Sequence, residues 1–377
     1  MGLTRNNTRL AIKESCTGCG ICASICPHGC IRMVEGIHGH LFPIVDENAC
    51  KRCGLCDKCC SVLHPCELKP INQVYASWTK DSRDYRTTAS GGIATVLSRF
   101  VIGQRGVVYG CAMLPDAEVK HIRVDKVEGL DLLKSSKYVQ SYLIEIIPQL
   151  VMDVSDGKLV LFIGTPCQVG AVKNLFRVQP DNLLLVDLIC HGVPSLKTLK
   201  EHVRRVAPKY EIGKVTFREN GNCFALTIYD VSGKQVYRMP LWEERYKDWY
   251  MNTFIDGYTY RDCCYTCRYA THKRVSDITI GDFWGLCDTK NEIPNHEYGC
   301  SVVMPITPKG MAYFDKIRPF INTYERDIQE AVAGNSQLRQ PTKLTKRIRY
   351  YRKVQNVVKW PRLYYWVNLD RMMKKKF

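Results

Sequence analysis

The sequence predicts two units in series, a small α+β domain followed by a larger mixed α/β domain. Three observations predict this. A run of four cysteines occurs twice near the N-terminus, the second copy shifted by 34 positions. Beyond it, short apolar runs ending in Gly- or Pro-containing turns alternate with helical stretches. The length of 377 residues and the 45% hydrophobic content are ample for a buried core and too large for one compact unit. The expected boundaries are 1–70 for the cysteine domain, 71–150 and 151–310 for two parts of the α/β domain, and 311–377 for a helical, basic-aromatic tail.

Composition narrows the function classes. No apolar run approaches the roughly 18 residues of a membrane span, and the start MGLTRNNTRL has no apolar core of a secretory signal. A cytoplasmic location is expected. Twenty cysteines in such a chain are expected to be ligands or redox groups rather than disulfides. The net charge of +17 is uneven: residues 339–377 hold 13 Lys or Arg against Asp370, a net of +12, which leaves +5 for the rest. Basicity confined to a tail, outside any recognised nucleic-acid fold, argues against a nucleic-acid partner.

The cysteine domain comes first in the chain. Cys16, Cys19, Cys22 and Cys26 recur as Cys50, Cys53, Cys56 and Cys60, and both copies read C-x2-C-x2-C-x3-C. This is the ligand run of two-cluster bacterial ferredoxins. Three closely spaced cysteines wrap a loop around three corners of a cubane, and the fourth reaches toward the other cluster. Cys16, Cys19, Cys22 and Cys60 are therefore expected on one [4Fe–4S] cluster, and Cys50, Cys53, Cys56 and Cys26 on a second. Zinc sites more usually show two C-x-x-C pairs. Pro27 follows Cys26 as in ferredoxins, but Ser61 follows Cys60, and Cys59 could compete as the ligand. Cys30 and Cys66 read as small buried residues or bystanders to the ligand runs.

Past the linker at Pro65 to Pro70, residues 107–113 and 119–124 read as strands joined by a turn at Pro115-Asp116. Residues 159–163 and 183–189 read as buried strands, with a crossover helix over 168–177 between them. That layout brings Cys167 and Cys190 to the carboxyl edge of a parallel sheet, where open α/β sheets place their chemistry. Residues 215–237 alternate in period two, with Gly233 at a turn, and predict a hairpin. A helix is expected over 243–256 and a strand over 277–281. Cys111, Cys223, Cys287 and Cys300 are expected to be core residues.

Six motifs then follow in order: Ser90-Gly91-Gly92, Ser136-Lys137-Tyr138-Val139-Gln140-Ser141, Gly164-Thr165-Pro166-Cys167-Gln168, Ile189-Cys190-His191-Gly192-Val193-Pro194, Cys264-x-x-Cys267, and the stretch from Ser276 through Asp282-Phe283-Trp284-Gly285. With the cysteine domain ahead of them, they make the chain resemble the beta-subunit family of coenzyme F420 hydrogenases and dehydrogenases. The resemblance covers residues 10–305. It implies that the α+β ferredoxin-like two-cluster domain is followed by a mixed α/β flavin-binding domain, with FAD receiving electrons through the clusters.

Cofactor-binding residues are then expected at Ser90, Gly91, Gly92, Lys137, Tyr138 and Asp282. Ser90-Gly91-Gly92 opens a helix over 93–100, whose free N–H groups suit a pyrophosphate, although ordinary helix caps look alike. Lys137 is similar to the family's flavin-proximal lysine, a cation suited to a reduced, anionic flavin ring; the alternative is a solvated surface lysine. His191 could supply a proton or act as a hydrogen-bonding group. Asp282 could cap a turn or hold flavin. Cys167, Cys190, Cys264 and Cys267 can close a third [4Fe–4S] site, a zinc site, or a redox thiol beside a dithiol pair, and the neighbouring Cys263 leaves the ligand choice open.

The function expected is an iron–sulfur flavoprotein oxidoreductase, with an electron donor or acceptor protein and a small organic acceptor as partners. The alternative is an electron-transfer subunit that serves a partner reductase. In the tail, Trp360, Tyr364, Tyr365 and Trp366 interleave with Arg352, Lys353, Lys359, Arg362 and Arg371 before Lys374-Lys375-Lys376. That mixture suits peripheral attachment to an anionic membrane surface, or else the rings pack back on the body.

Overall fold

The structure, a computed structural model, describes residues 10–243, 247–287, 293–294, 296–358 and 363–369. The cysteine domain holds one hairpin, β1 (Ile31–Glu35) and β2 (Leu41–Val45). A short pair, β3 (Lys69–Pro70) with β12 (Lys273–Arg274), ties the linker to the body.

The body is one eight-stranded sheet in the order β15-β4-β14-β13-β8-β7-β5-β6. Its strands are β4 (Val74–Thr79), β5 (Val107–Leu114), β6 (Glu118–Val124), β7 (Val160–Gly164), β8 (Leu183–Leu188), β13 (Ile278–Asp282), β14 (Ser301–Pro305) and β15 (Ile321–Arg326). β5, β7, β8 and β13 run parallel, and the flanking pairs are antiparallel. The parallel centre reads as unbroken apolar runs because both faces are covered. Val160, Leu161, Phe162, Leu183, Leu184 and Val186 are wholly or almost wholly buried, and each such side chain contributes roughly 1.5–3 kcal/mol. Successive residues of β7 and β8 feed two cores, one on each face of the sheet.

Most expected elements lie where the sequence puts them. The helix after β7 spans Pro166–Lys173, begun by a capping box in which Thr165 and Gln168 satisfy each other's backbone groups. Two expectations are corrected. Residues 215–237 are not a single hairpin: β9 (Ile212–Glu219), β10 (Cys223–Asp230) and β11 (Gln235–Pro240) form a three-stranded meander. Asn220 and Gly221 both have positive φ and make its first turn, inside what reads as continuous alternation. The helix expected over 243–256 spans Trp249–Ile255, capped by Asp248, and residues 244–246 lie outside the described residues.

β15 comes from the segment read as tail, so the tail begins later than residue 311. Pairing with β4 explains this, because Ile321 to Arg326 supply the ladder that edge strand lacks. The tail proper forms helices Lys346–Val358 and Leu363–Val367. Tyr351 and Tyr364 are buried against Tyr258, and Tyr365 donates to the carbonyl of Lys247 (3.1 Å). These rings pack back on the body rather than facing outward. Trp366 is exposed, while Trp360, Arg362, Asp370, Arg371, Lys359 and the terminal lysines lie outside the described residues. No helix among the described residues is long and apolar enough to cross a membrane.

Candidate functional site

Each N-terminal cysteine run wraps a one-turn helix, Ile21–Ser24 or Leu55–Lys58, entered from a left-handed glycine, Gly20 (φ 80°) or Gly54 (φ 77°). The runs then exchange their fourth members. Burial pushes the Cys19 thiol up to about 11, followed by the charges of Cys16 and Cys60. Cys22 is raised in the same way, by burial and then by Cys19, Cys16 and Cys60. Cys60 thus stands with Cys16, Cys19 and Cys22, whereas Cys59 is raised by burial and by Cys56 and Cys60. In the second set, burial raises Cys56, and Cys26 and Cys50 add to it. Cys53 is exposed. Cys30 is buried as expected, and its Sγ lies 3.3 Å from that of Cys26.

The C-terminal thiols converge as well. Cys167 sits on the first turn of Pro166–Lys173, Cys190 follows β8, Cys264 lies in a 3₁₀ turn, Asp262–Thr266, and Cys267 closes it. Burial raises Cys190 well above the ordinary thiol value, followed by the charges of Cys264, Cys167 and Cys267. Cys167 is pushed up to about 12 by burial, then by Cys267, and it also meets the charges of Cys264 and Cys19. The third set is thus in electrostatic reach of the first. Cys263 stands with the set too: its thiol is raised by a hydrogen bond with Cys264, then by burial and the charges of Cys264 and Cys167. Among the described residues, no three Cys, His, Asp or Glu side chains converge closely enough to hold a single metal ion.

Beside these thiols lies a cavity of about 590 Å³ at the carboxyl edge of the parallel strands. Ser90, Gly92, Lys137 and Tyr138 line it, with His191, Asp282, Cys167, Cys190 and Cys264. Gly91 stands behind this wall. A Cβ there would come within 2.2 Å of the Ser77 carbonyl, and its N–H donates to Ser301 Oγ (2.8 Å). Gly92 caps helix Ile93–Gly103 without a side-chain hydrogen bond, which leaves first-turn N–H groups available.

Three expected residues are joined by one that sequence reasoning missed, Arg218. Its guanidinium pairs with Asp282 through both nitrogens, one bond being 2.9 Å from Nη1, and its Nε donates to the Tyr138 hydroxyl (2.7 Å). Ser90, in left-handed backbone (φ 55°), donates its hydroxyl to the same carboxylate. Asp282 is therefore an ion-pair partner rather than a turn cap. The only signal was a charged residue among the inward positions of β9.

Lys137 is half-buried, not a solvated surface lysine. Its ammonium donates to the carbonyls of Leu133, Lys134 and Ser135 (2.7, 2.7 and 3.1 Å), and burial brings it down to about 8. His191 lines the cavity, and its pKa is lowered, by its enclosure there first, with the Asp282 charge opposing. Cys287 is exposed and outside the core, whereas Cys300 is buried, Cys223 is partly buried, and Cys111 packs on the core at the cavity wall. Ser135 adds an orphan: its buried hydroxyl, on a left-handed residue of the cavity wall, has no partner among the described residues. An unmet polar group, an uncapped helix start and an apolar wall fit a nucleotide cofactor.

Crossed thiol runs, a third thiol set in reach of them and a sheet-edge cavity define an iron–sulfur protein of the electron-transfer class. Residues 157–329 match the family model for the C terminus of the coenzyme F420 hydrogenase/dehydrogenase beta subunit, and residues 11–32 match the 4Fe-4S binding domain. Residues 157–329 thus carry the C-terminal domain of this beta-subunit family, with a 4Fe-4S binding domain ahead of it. Among solved structures it is similar to a chain of the F420-reducing [NiFe] hydrogenase complex from Methanosarcina barkeri, studied by xenon derivatization. The identity is 19% and the TM-score 0.49, over 77% of this chain and 91% of that one. No curated protein matches the chain.

Proposed function

We propose that the chain is an iron–sulfur flavoprotein oxidoreductase. Cys16, Cys19, Cys22 and Cys60 hold one [4Fe–4S] cluster, Cys26, Cys50, Cys53 and Cys56 a second, and Cys167, Cys190, Cys264 and Cys267 a third. FAD occupies the cavity and serves a small organic acceptor. The observation that carries this reading is the shared wall: Cys167, Cys190 and Cys264 line the same cavity as Ser90, Gly92 and Tyr138.

Bound FAD would join one-electron transfer from the clusters to two-electron transfer to the acceptor. The chain's own residues bind and orient. The first turn of Ile93–Gly103 and the Ser135 hydroxyl offer donors to a pyrophosphate. Arg218 fixes Tyr138 and Asp282 in the wall, Lys137 contributes a positive charge, and His191 is placed to hold or release a proton.

Anaerobically purified protein tests this through its absorption spectrum, iron content and acid-released flavin. About twelve iron and one FAD per chain are expected from four-iron stoichiometry. Protein that takes up iron but no flavin would leave only the electron-transfer role in service of a partner reductase.

A further inference from the structure

Arg261 is among the largest wholly buried side chains, 1% exposed. It donates from Nε to the carbonyl of Cys16 (2.6 Å), from Nη2 to that of Leu41 (2.9 Å), and from Nη1 to Gln140 Oε1 (3.4 Å). The guanidinium also lies 4.2 Å over the Phe42 ring. Gly18, two residues after Cys16, admits this approach, since a Cβ there would stand 2.5 Å from Nη1.

These partners satisfy hydrogen bonds but leave the charge uncompensated. No carboxylate among the described residues pairs with Arg261, in contrast to the buried Arg274, which meets Asp187 at 2.9 Å. An arginine cannot shed its proton inside a protein, and a buried unpaired charge carries a large desolvation penalty. Its backbone and side-chain contacts reach a cysteine of each of two thiol sets. It holds the backbone of Cys16 in the first set. At the C-terminal set it stands three residues before Cys264, whose N–H donates to the Arg261 carbonyl (3.0 Å), and both residues line the cavity.

We propose that Arg261 is an electrostatic positioning residue shared by the first N-terminal cluster and the C-terminal cluster, its fixed charge compensating both. The proposal rests on the cluster assignment above. A four-iron cluster with four thiolates is an anion that becomes more negative on reduction, and net charge is one of the factors that set its potential. A permanent cation between two such clusters raises both potentials together and keeps the electron step between them near level. No contact among the described residues joins Arg261 to the cysteines of the second N-terminal cluster, so its effect there is weaker.

Potentiometric titration followed by electron paramagnetic resonance, on full-length protein, tests the idea with Arg261→Gln and Arg261→Lys. The Gln variant should shift the first and C-terminal clusters to lower potential by about tenfold in the reduction equilibrium, about 59 mV for a one-electron couple. The second cluster should shift less, and the Lys variant should stay close to wild type. Equal shifts for Lys and Gln, equal shifts at all clusters, or no shift would overturn it. If the Gln variant loses iron, retention by the Lys variant supports a need for charge, and loss from both reduces Arg261 to a structural brace. Wild-type protein lacking a third cluster would refute that assignment instead, while the first-cluster shift would still decide the role of Arg261.

Discussion

Two side chains in the cavity wall do more than line it. Arg218 brings a positive charge to the link among Ser90, Tyr138 and Asp282, and it packs 4.0 Å over Phe224. Arg218→Leu strands the Asp282 carboxylate, and breaking such a buried pair costs about 3–5 kcal/mol. Flavin retained after gel filtration should fall sharply in that variant, with N-terminal iron unchanged. Equal flavin in variant and wild type would remove Arg218 from the site.

His121 makes a pH prediction. It is buried, with Nε2–H donating to the Ile163 carbonyl (3.0 Å), Nδ1 accepting from Ser141 (2.9 Å), and its pKa lowered by burial to about 4. The folded state therefore resists protonation that the unfolded chain accepts near 6.5. Its stabilisation is complete above that value and is lost as pH falls from about 6.5 toward about 4. Melting temperature should drop across this window in wild type, and less steeply in His121→Gln.

At the scale of elements, the parallel strands deliver chemistry at their carboxyl ends, and this was legible in advance. The runs ending in Gly164-Thr165-Pro166 and Cys190-His191-Gly192 state both the strand and the loop that follows. The meander was not legible, because a turn through Asn220-Gly221 does not interrupt period-two alternation. Arg218 was hidden for a related reason: its partners Tyr138 and Asp282 lie 80 and 64 residues away, and no local pattern announces such a pairing. The cysteine repeat was the most legible feature, since its spacing is the ligand geometry itself.

The C-x-x-C turn is held from outside. Arg352, on helix Lys346–Val358, pairs with Asp262 and donates to the Tyr260 carbonyl (2.5 Å). Changing Cys264 and Cys267 to Ser should remove about four iron and spare the N-terminal clusters. Unchanged iron in the double variant would exclude a cluster at that turn.

At the scale of the whole molecule, the cysteine domain is docked rather than tethered. Gln140 donates to the Thr17 carbonyl (3.0 Å), Ser24 to that of Ile144 (2.9 Å), and Asn174 to that of His64 (2.7 Å), while His40 meets the Val193 carbonyl (3.0 Å). Contacts of this kind place the first and third thiol sets in a fixed relation, as stepwise electron transfer requires. Truncation after Gln340 should leave a chain with about eight iron instead of about twelve, because the brace on Asp262 is gone. Full iron content in the truncated chain would show that the turn closes without the tail.

The position of that brace has a consequence during synthesis. A ribosome releases the chain from its N-terminus, so residues 1–70 are free to take up iron early. The cluster proposed at Cys167, Cys190, Cys264 and Cys267 gains its Arg352 brace only when that residue emerges, long after the ferredoxin runs. Nascent chains arrested before that point should carry the ferredoxin clusters alone, with iron reaching the proposed third site last.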